Sequence, residues 1–522
     1  MRLFLFAIIV VLSFTKCQNS KIDPHPTHPN IIYIMTDDHA KNALSCFGSQ
    51  LIETPHLDRL AKEGIVFDQA YVTNALCGPS RAVCLTGKFS HINGFRHNQD
   101  EFDGSQETFI KLLKEAGYFT GVVGKWHLKS TPQGFDYWKI LIGQGEYYNP
   151  RWITQGDTSQ EIGYTTSLIT DSAIETLEKR DKNDPFCLMV HHKAPHRNWM
   201  PDLKDLDPDN IKKYPLPSNF YDEYTGRPGA IDQDLEIKDM FYSLDMKLNL
   251  PGDMEDPGTG GFTKYPVKRD YENTLDRLTP EQKKAWDDFY KPISDQFFAS
   301  DLKGKELEEW MYQRYMHDYL LSVKSVDDNV GRLYKYLEDN GLLENTMIVY
   351  TSDQGFFLGE HGWYDKRYMY EESMGMPLIV RMPNAENAGS RSNALVQNLD
   401  FAPTFLDYAG VVTPQDMQGQ SLMPLINNEK KNVRSALYYH YYEYPFGWHY
   451  VKKHYGIKGT RYKLIHFYDD IDEWELYDLE KDPAEMNNLN ASSEHQGIVD
   501  SMKMELNKLI ALYEDPIGKE WQ

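Results

Sequence analysis

Residues 30–38 read Asn30-Ile31-Ile32-Tyr33-Ile34-Met35-Thr36-Asp37-Asp38, an apolar run that stops on two acids. A run of this length without polar alternation is the pattern of a strand covered on both faces, as in a parallel sheet flanked by helices. Strand and helix signals alternate outward from it. Thr54 as N-cap, Pro55, an apolar stripe at Leu57, Leu60 and Ala61, and Gly64 outline a short helix. Phe109, Leu112, Leu113 and Ala116 repeat that pattern up to Gly117, and Tyr118 to Val123 follows as a strand. Pro185 to Val190 is another, leading into a His-rich loop. Met316, Tyr319, Leu320, Val323, Val326, Val330, Leu333 and Leu337 keep helical spacing until Asn340-Gly341, and Met347 to Tyr350 then runs into Asp353-Gln354. This alternation predicts an α/β sandwich whose functional residues sit at strand C-termini.

Two regions break the pattern. Residues of about 199–300 are rich in Asp, Lys, Pro and Tyr without clear periodicity, which predicts a surface insertion carrying substrate loops. Beyond about 428, the short aromatic segments Ser435 to Tyr442, Tyr455 to Ile457 and Tyr462 to Phe467 predict a small antiparallel sheet, closed by a helix near 496–513.

The chain has 522 residues, with 55 Lys and Arg against 78 Asp and Glu, a formal charge of −23. No general basic field exists to attract nucleic acid or an anionic membrane. Arg2 followed by the apolar run Leu3 to Leu12 has the length of a signal-peptide core, too short for a membrane span. Export to the periplasm or cell surface follows, with a signal over 1–17. Cys17 is a candidate lipid anchor, although Lys16 fits that processing poorly. The remaining cysteines, Cys46, Cys77, Cys84 and Cys187, are too few for a disulfide framework, and those without a catalytic role are expected to be buried thiols.

Asp37-Asp38 alone would be ordinary turn carboxylates. A second acidic strand end, Asp353-Gln354, changes that reading, because adjacent parallel strand ends can converge into an oxygen-rich cage for a hard cation. Calcium suits such an irregular set, whereas magnesium demands stricter octahedral geometry. The segment Cys77-Gly78-Pro79-Ser80-Arg81-Ala82-Val83-Cys84-Leu85-Thr86-Gly87-Lys88 resembles the signature of the type I sulfatases. Gly117 to Leu128, with Gly124-Lys125-Trp126-His127, is similar to their second signature, except that Lys129 stands where glycine is usual.

The resemblance implies an alkaline-phosphatase-like sandwich with a large mixed, mostly parallel sheet and a smaller C-terminal antiparallel α+β subdomain. The expected divisions are a catalytic domain over 27–428 and a C-terminal subdomain over 429–522. It also implies that a maturation enzyme converts Cys77 to formylglycine, whose hydrated aldehyde is the nucleophile. Asp37, Asp38, Cys77, Asp353 and Gln354 become metal ligands, and Arg81 braces the nucleophile. Lys125 and Lys366 bind sulfate, His127 is a base and His196 the acid for the leaving alcohol. Segments around Asp353 to Pro383 and Tyr442 to Ile465 are similar to bacterial N-acetylglucosamine-6-sulfatases. Asp365, Arg367 and His454 are then expected to hold a 6-O-sulfated N-acetylglucosamine from mucin or heparan-type glycans. The alternatives are another sulfated sugar, an aryl sulfate, a phosphate or phosphonate ester, or a non-catalytic glycan binder.

Overall fold

In a computed structural model describing residues 29–259, 266–447 and 449–516, the opening run is a fully buried strand, Asn30–Thr36. It pairs in parallel with Phe186–His191 on one side and Thr346–Ser352 on the other. Phe119–Gly124 and Tyr137–Leu141 extend the parallel centre to five strands. Antiparallel strands complete a ten-stranded sheet, among them Leu378–Arg381 and Arg151–Thr154. Side chains of the opening strand alternate between two cores. Tyr33 packs edge-on against Phe401 at 5.9 Å, while Ile32 and Ile34 join the cluster containing Val330 and Leu333. Each such burial contributes about 1.5–3 kcal/mol, and a one-residue slip would exchange the two faces.

Pro55–Lys62 is helical, but Thr54 does not cap it through its side chain. Asp327 of the long helix Gly304–Asp339 does so from across the structure, accepting from the Leu57 amide at 2.8 Å and the His56 amide at 3.3 Å. The expectation of an aperiodic insertion over about 199–300 is corrected for its second part only. Val267–Leu275 and Pro280–Ala299 are helices, and Trp286, Phe289 and Tyr290 are buried. The overlooked signal is Thr279-Pro280-Glu281-Gln282, whose Thr279 and Gln282 side chains form a reciprocal capping box.

Leu437–Tyr441, His454–Lys458, Tyr462–Phe467 and Glu473–Asp478 form the separate antiparallel sheet, with Gln496–Leu512 packed on it. Tyr439 donates to the Arg367 carbonyl at 2.5 Å, tying this sheet to the end of the large one. Cys84 and Cys187 are buried free thiols, but Cys46 is only partly buried. Among the described residues, no helix is long and apolar enough to cross a membrane. The signal segment and Cys17 lie outside the described residues.

Candidate active site

The two acidic strand ends meet. Thr36 and Ser352 are register partners, so Asp37-Asp38 and Asp353-Gln354 leave the sheet side by side. Asp353 donates its amide to the Thr36 carbonyl at 3.1 Å, and the Asp38 amide donates to Asp353 Oδ1 at 3.2 Å. All four residues are fully buried. One oxygen from each of Asp37, Asp38 and Asp353 lies within 4.8 Å of the others. Burial, then Asp37, holds the Asp353 carboxyl well above its usual range. Burial also lifts Asp38 to about 6, with Lys366 pulling the other way. Asp37 Oδ1 and Gln354 Oε1 have no hydrogen-bond partner. Crowded carboxylates with free buried oxygens fit a hard divalent cation.

Three protein cations surround them. Arg81 donates from Nε to Asp353 Oδ2 at 2.9 Å and from a terminal nitrogen to the Lys125 carbonyl at 2.9 Å. Lys125 pairs with Asp37 and Gln144, and Lys366 donates to Asp38 Oδ2 at 2.7 Å. Gly124 makes the approach of Lys125 feasible. At φ +102° it lets the chain turn off its strand, and a Cβ there would sit 1.9 Å from the His191 carbonyl oxygen. Cys77 opens the helix Cys77–Thr86 and is 1% exposed, with Gln354 Nε2 3.5 Å from its sulfur. Burial, then Asp37, pushes its thiol well above the ordinary range, so an unmodified thiolate is disfavoured as nucleophile.

A cavity of about 400 Å³ opens onto this centre. Cys77, His196 and Lys366 reach it from the catalytic end. His196 Nδ1–H donates to the Arg197 carbonyl at 2.6 Å, which leaves Nε2 on the active side, 3.8 Å from Asp38 Oδ2. Burial, then Lys125, holds its pKa well below the usual range. His127 is partly buried; desolvation and Lys125 depress its pKa, and its Nδ1 has no hydrogen-bond partner among the described residues. Asp365 and Arg367 line the cavity, with Glu443 from the C-terminal segment pairing with Arg367. Asp38, His127, Asp365 and Arg367 all have positive φ, at 67°, 57°, 72° and 98°. Such concentrated backbone strain marks positions held by their surroundings for a purpose.

Residues 29–411 match the family model described as sulfatase. The chain belongs to the sulfatase family. A second model, described as the C-terminal part of N-sulphoglucosamine sulphohydrolase, matches residues 359–512. The sulfatase is 52% identical over 499 residues to an N-acetylglucosamine-6-O-sulfatase of Bacteroides thetaiotaomicron, covering 93% of this chain and 87% of that protein. A solved structure described as a complex with its substrate, D-glucosamine-2-N,6-O-disulfate, is 51% identical with a TM-score of 0.88. That likeness covers 94% of this chain and 99% of the other. The phosphonate monoester hydrolase of Agrobacterium radiobacter, at 18% identity and TM-score 0.65 over 93% and 96% of the two chains, shares the fold alone. The sulfatase hydrolyses sulfate esters.

The structure of the sulfatase places most of the expected site residues together, but not all in the same shell. Lys366 reaches the cavity, whereas Lys125 sits behind Asp37, fully buried. His191 packs against Arg81 and the Lys125 carbonyl, so His196 is the histidine of that segment facing the cavity. His454 is a correction. Its Nδ1 donates to the Lys452 carbonyl at 2.8 Å, its Nε2 accepts from the Met369 amide at 3.0 Å, and it is fully buried among aromatic rings. Both nitrogens are committed to backbone. His449 lines the cavity instead, 3.5 Å from Asp365 Oδ2. Asn98, Gln144 and Lys193 also line it and were not expected. Lys193 alone had a signal, standing three residues before His196. Lys129 has φ +60°, which accounts for the glycine usual there in relatives.

Proposed function

We propose that the sulfatase removes the 6-O-sulfate of N-acetylglucosamine-type sugars, from heparan-type or mucin glycans. The likeness to a curated N-acetylglucosamine-6-O-sulfatase across nearly the whole chain carries this reading. Asp365, Arg367 and His449 are the residues assigned to the sugar hydroxyls, since they line the cavity beside Lys366. A fixed, ion-paired set of this kind recognises hydroxyls by geometry, and a sugar with the wrong stereochemistry leaves buried polar groups unpaired.

Formylglycine, made from Cys77 by a maturation enzyme, would supply a hydrated aldehyde oxygen as nucleophile, and calcium on Asp37, Asp38, Asp353 and Gln354 would polarise the sulfate. Arg81 orients Asp353 and opposes the upward push of burial and Asp37 on its pKa. Lys366 stabilises charge on the sulfate oxygens in a site shielded from water, and Lys125 supports it from behind by pairing with Asp37. His196, with Nδ1–H locked on the Arg197 carbonyl, presents Nε2 to the leaving sugar oxygen. To deliver a proton there it would have to be the imidazolium, which the negative charge of the bound ester would favour against the burial that depresses its pKa. His127 takes up the proton released when sulfate departs. Export to the periplasm or cell surface fits a polymeric glycan substrate.

A panel of 2-, 3-, 4- and 6-sulfated monosaccharides, assayed on matured protein for free sulfate, tests the assignment. Release from the 6-sulfated glucosamines alone is expected. Equal turnover of all four positions, or preference for the 2- or 4-sulfate, overturns it.

A further inference from the structure

Lys193 is 4% exposed and lines the cavity, and among the described residues no carboxylate lies within ion-pair distance of it. Its contacts are the Arg197 carbonyl at 3.4 Å and the face of Tyr147, with Nζ 4.9 Å from the ring centroid. Burial, then Lys125, lowers its pKa to about 8. Buried charges are normally paired, because desolvation costs several kcal/mol per ion.

The same stretch of wall carries two arginines on one carboxylate. Glu146 Oε1 lies 2.9 Å from an Arg151 terminal nitrogen and 3.3 Å from one of Arg277. Arg277 Nε is buried with no hydrogen-bond partner. Asp270 also lines the cavity, so the wall holds three cations and two acids. Glu146 and Arg151 follow the strand Tyr137–Leu141, and Asp270 and Arg277 belong to the helix Val267–Leu275 and the turn after it. Lys193 lies in the loop after Phe186–His191, away from the segments that supply Asp365, Arg367 and His449.

We propose that Lys193, Arg277 and Arg151 form a second anion subsite. It holds a negatively charged substituent of the glycan other than the sulfate being cleaved. Two sources share that chemistry: an N-sulfo group on the same ring, or the carboxylate of a neighbouring uronic acid. With a ring held through its O3–O4 edge by the Asp365 wall, its C1–C2 end is turned away from that wall, which brings either group within the subsite's domain. This inference rests on the 6-O-sulfated glucosamine reading above.

The test uses binding first, so that it does not depend on turnover. Calorimetry on the full-length Cys77→Ala protein compares 6-O-sulfo-N-acetylglucosamine, glucosamine 2-N,6-O-disulfate, and a uronate-linked disaccharide of the first sugar. In the same background, Arg277→Gln and Lys193→Gln are expected to weaken at least one doubly anionic ligand about tenfold more than the singly anionic one. Lys193→Arg should restore most of the loss, which a purely structural role would not predict. An effect on the disulfate assigns the subsite to the N-sulfo group, and an effect confined to the disaccharide assigns it to the uronate. Equal weakening of all three ligands, no weakening, or no binding of any ligand overturns the subsite. Arg277 is about one quarter exposed, so its variant keeps the test open if Lys193→Gln fails to fold. Bound sugar from which matured wild-type protein releases no sulfate would overturn the substrate reading and leave the subsite standing.

Discussion

Two buried charge clusters lie close to the long helix Gly304–Asp339, and they are built on opposite plans. At Asp318 a single carboxylate is surrounded by donors: Arg314 at 2.9 Å, His317 at 2.9 Å, Tyr290 at 3.1 Å and Lys247 at 3.3 Å. At the end of the sheet, Asp37, Asp38 and Asp353 are pressed together, and some of their surrounding oxygens have no partner. The first arrangement lowers the Asp318 pKa against the effect of burial, through Arg314 and Lys247. The second leaves Asp353 raised by its neighbours as well as by burial. A carboxylate outnumbered by cations joins helices; carboxylates that repel one another are the arrangement a bound cation and a reaction would use.

Three experiments can break or sharpen that contrast. Cys77→Ala should abolish sulfate release, by at least about 10⁴-fold, with the melting temperature nearly unchanged. Residual activity near the wild-type level would mean that the crowded cluster is not the catalytic centre. Asp318→Ala should do the reverse, costing about 3–5 kcal/mol in denaturant unfolding while KM stays within about twofold for the protein that remains folded. A large KM change with little loss of stability would erase the distinction between the clusters. Dialysis against a chelator should remove activity and lower the melting temperature, and added calcium should restore both. An ion present at 100–1,000 times its Kd contributes about 3–4 kcal/mol to the folded state. Insensitivity to chelation would refute the metal assignment at Asp37, Asp38 and Asp353.

The sequence makes the centre of this molecule readable because its signals are local. An unbroken apolar run ending in Asp37-Asp38 can only be a buried strand with acids at its end, and a second run ending at Asp353 brings the partner. The Cys77 segment and the Lys125 to His127 segment are likewise contiguous. What is lost is decided by loops meeting across hundreds of residues. His449 and His454 are five residues apart and equally polar in sequence; one lines the cavity, and the other lies on a strand with both nitrogens hydrogen-bonded to backbone. The helix Pro280–Ala299 lacked a clean apolar stripe because its buried face is made of Trp286, Phe289 and Tyr290 rather than aliphatic residues. Lys193 and Arg277 share a wall only after the chain has folded.

The position of Cys77 sets a clock on the life of the protein. In the folded chain Cys77 starts a helix at the bottom of the cavity, 1% exposed, with Gln354 Nε2 3.5 Å from its sulfur. A maturation enzyme of the kind proposed would need an extended segment it can grip, which the helix Cys77–Thr86 does not offer once the chain has folded. A molecule that folds first is locked out, and its defect cannot be repaired without unfolding it. On that proposal, expression in a host without the modifying enzyme would yield folded but idle protein, distinguishable from the working form by mass and not by shape.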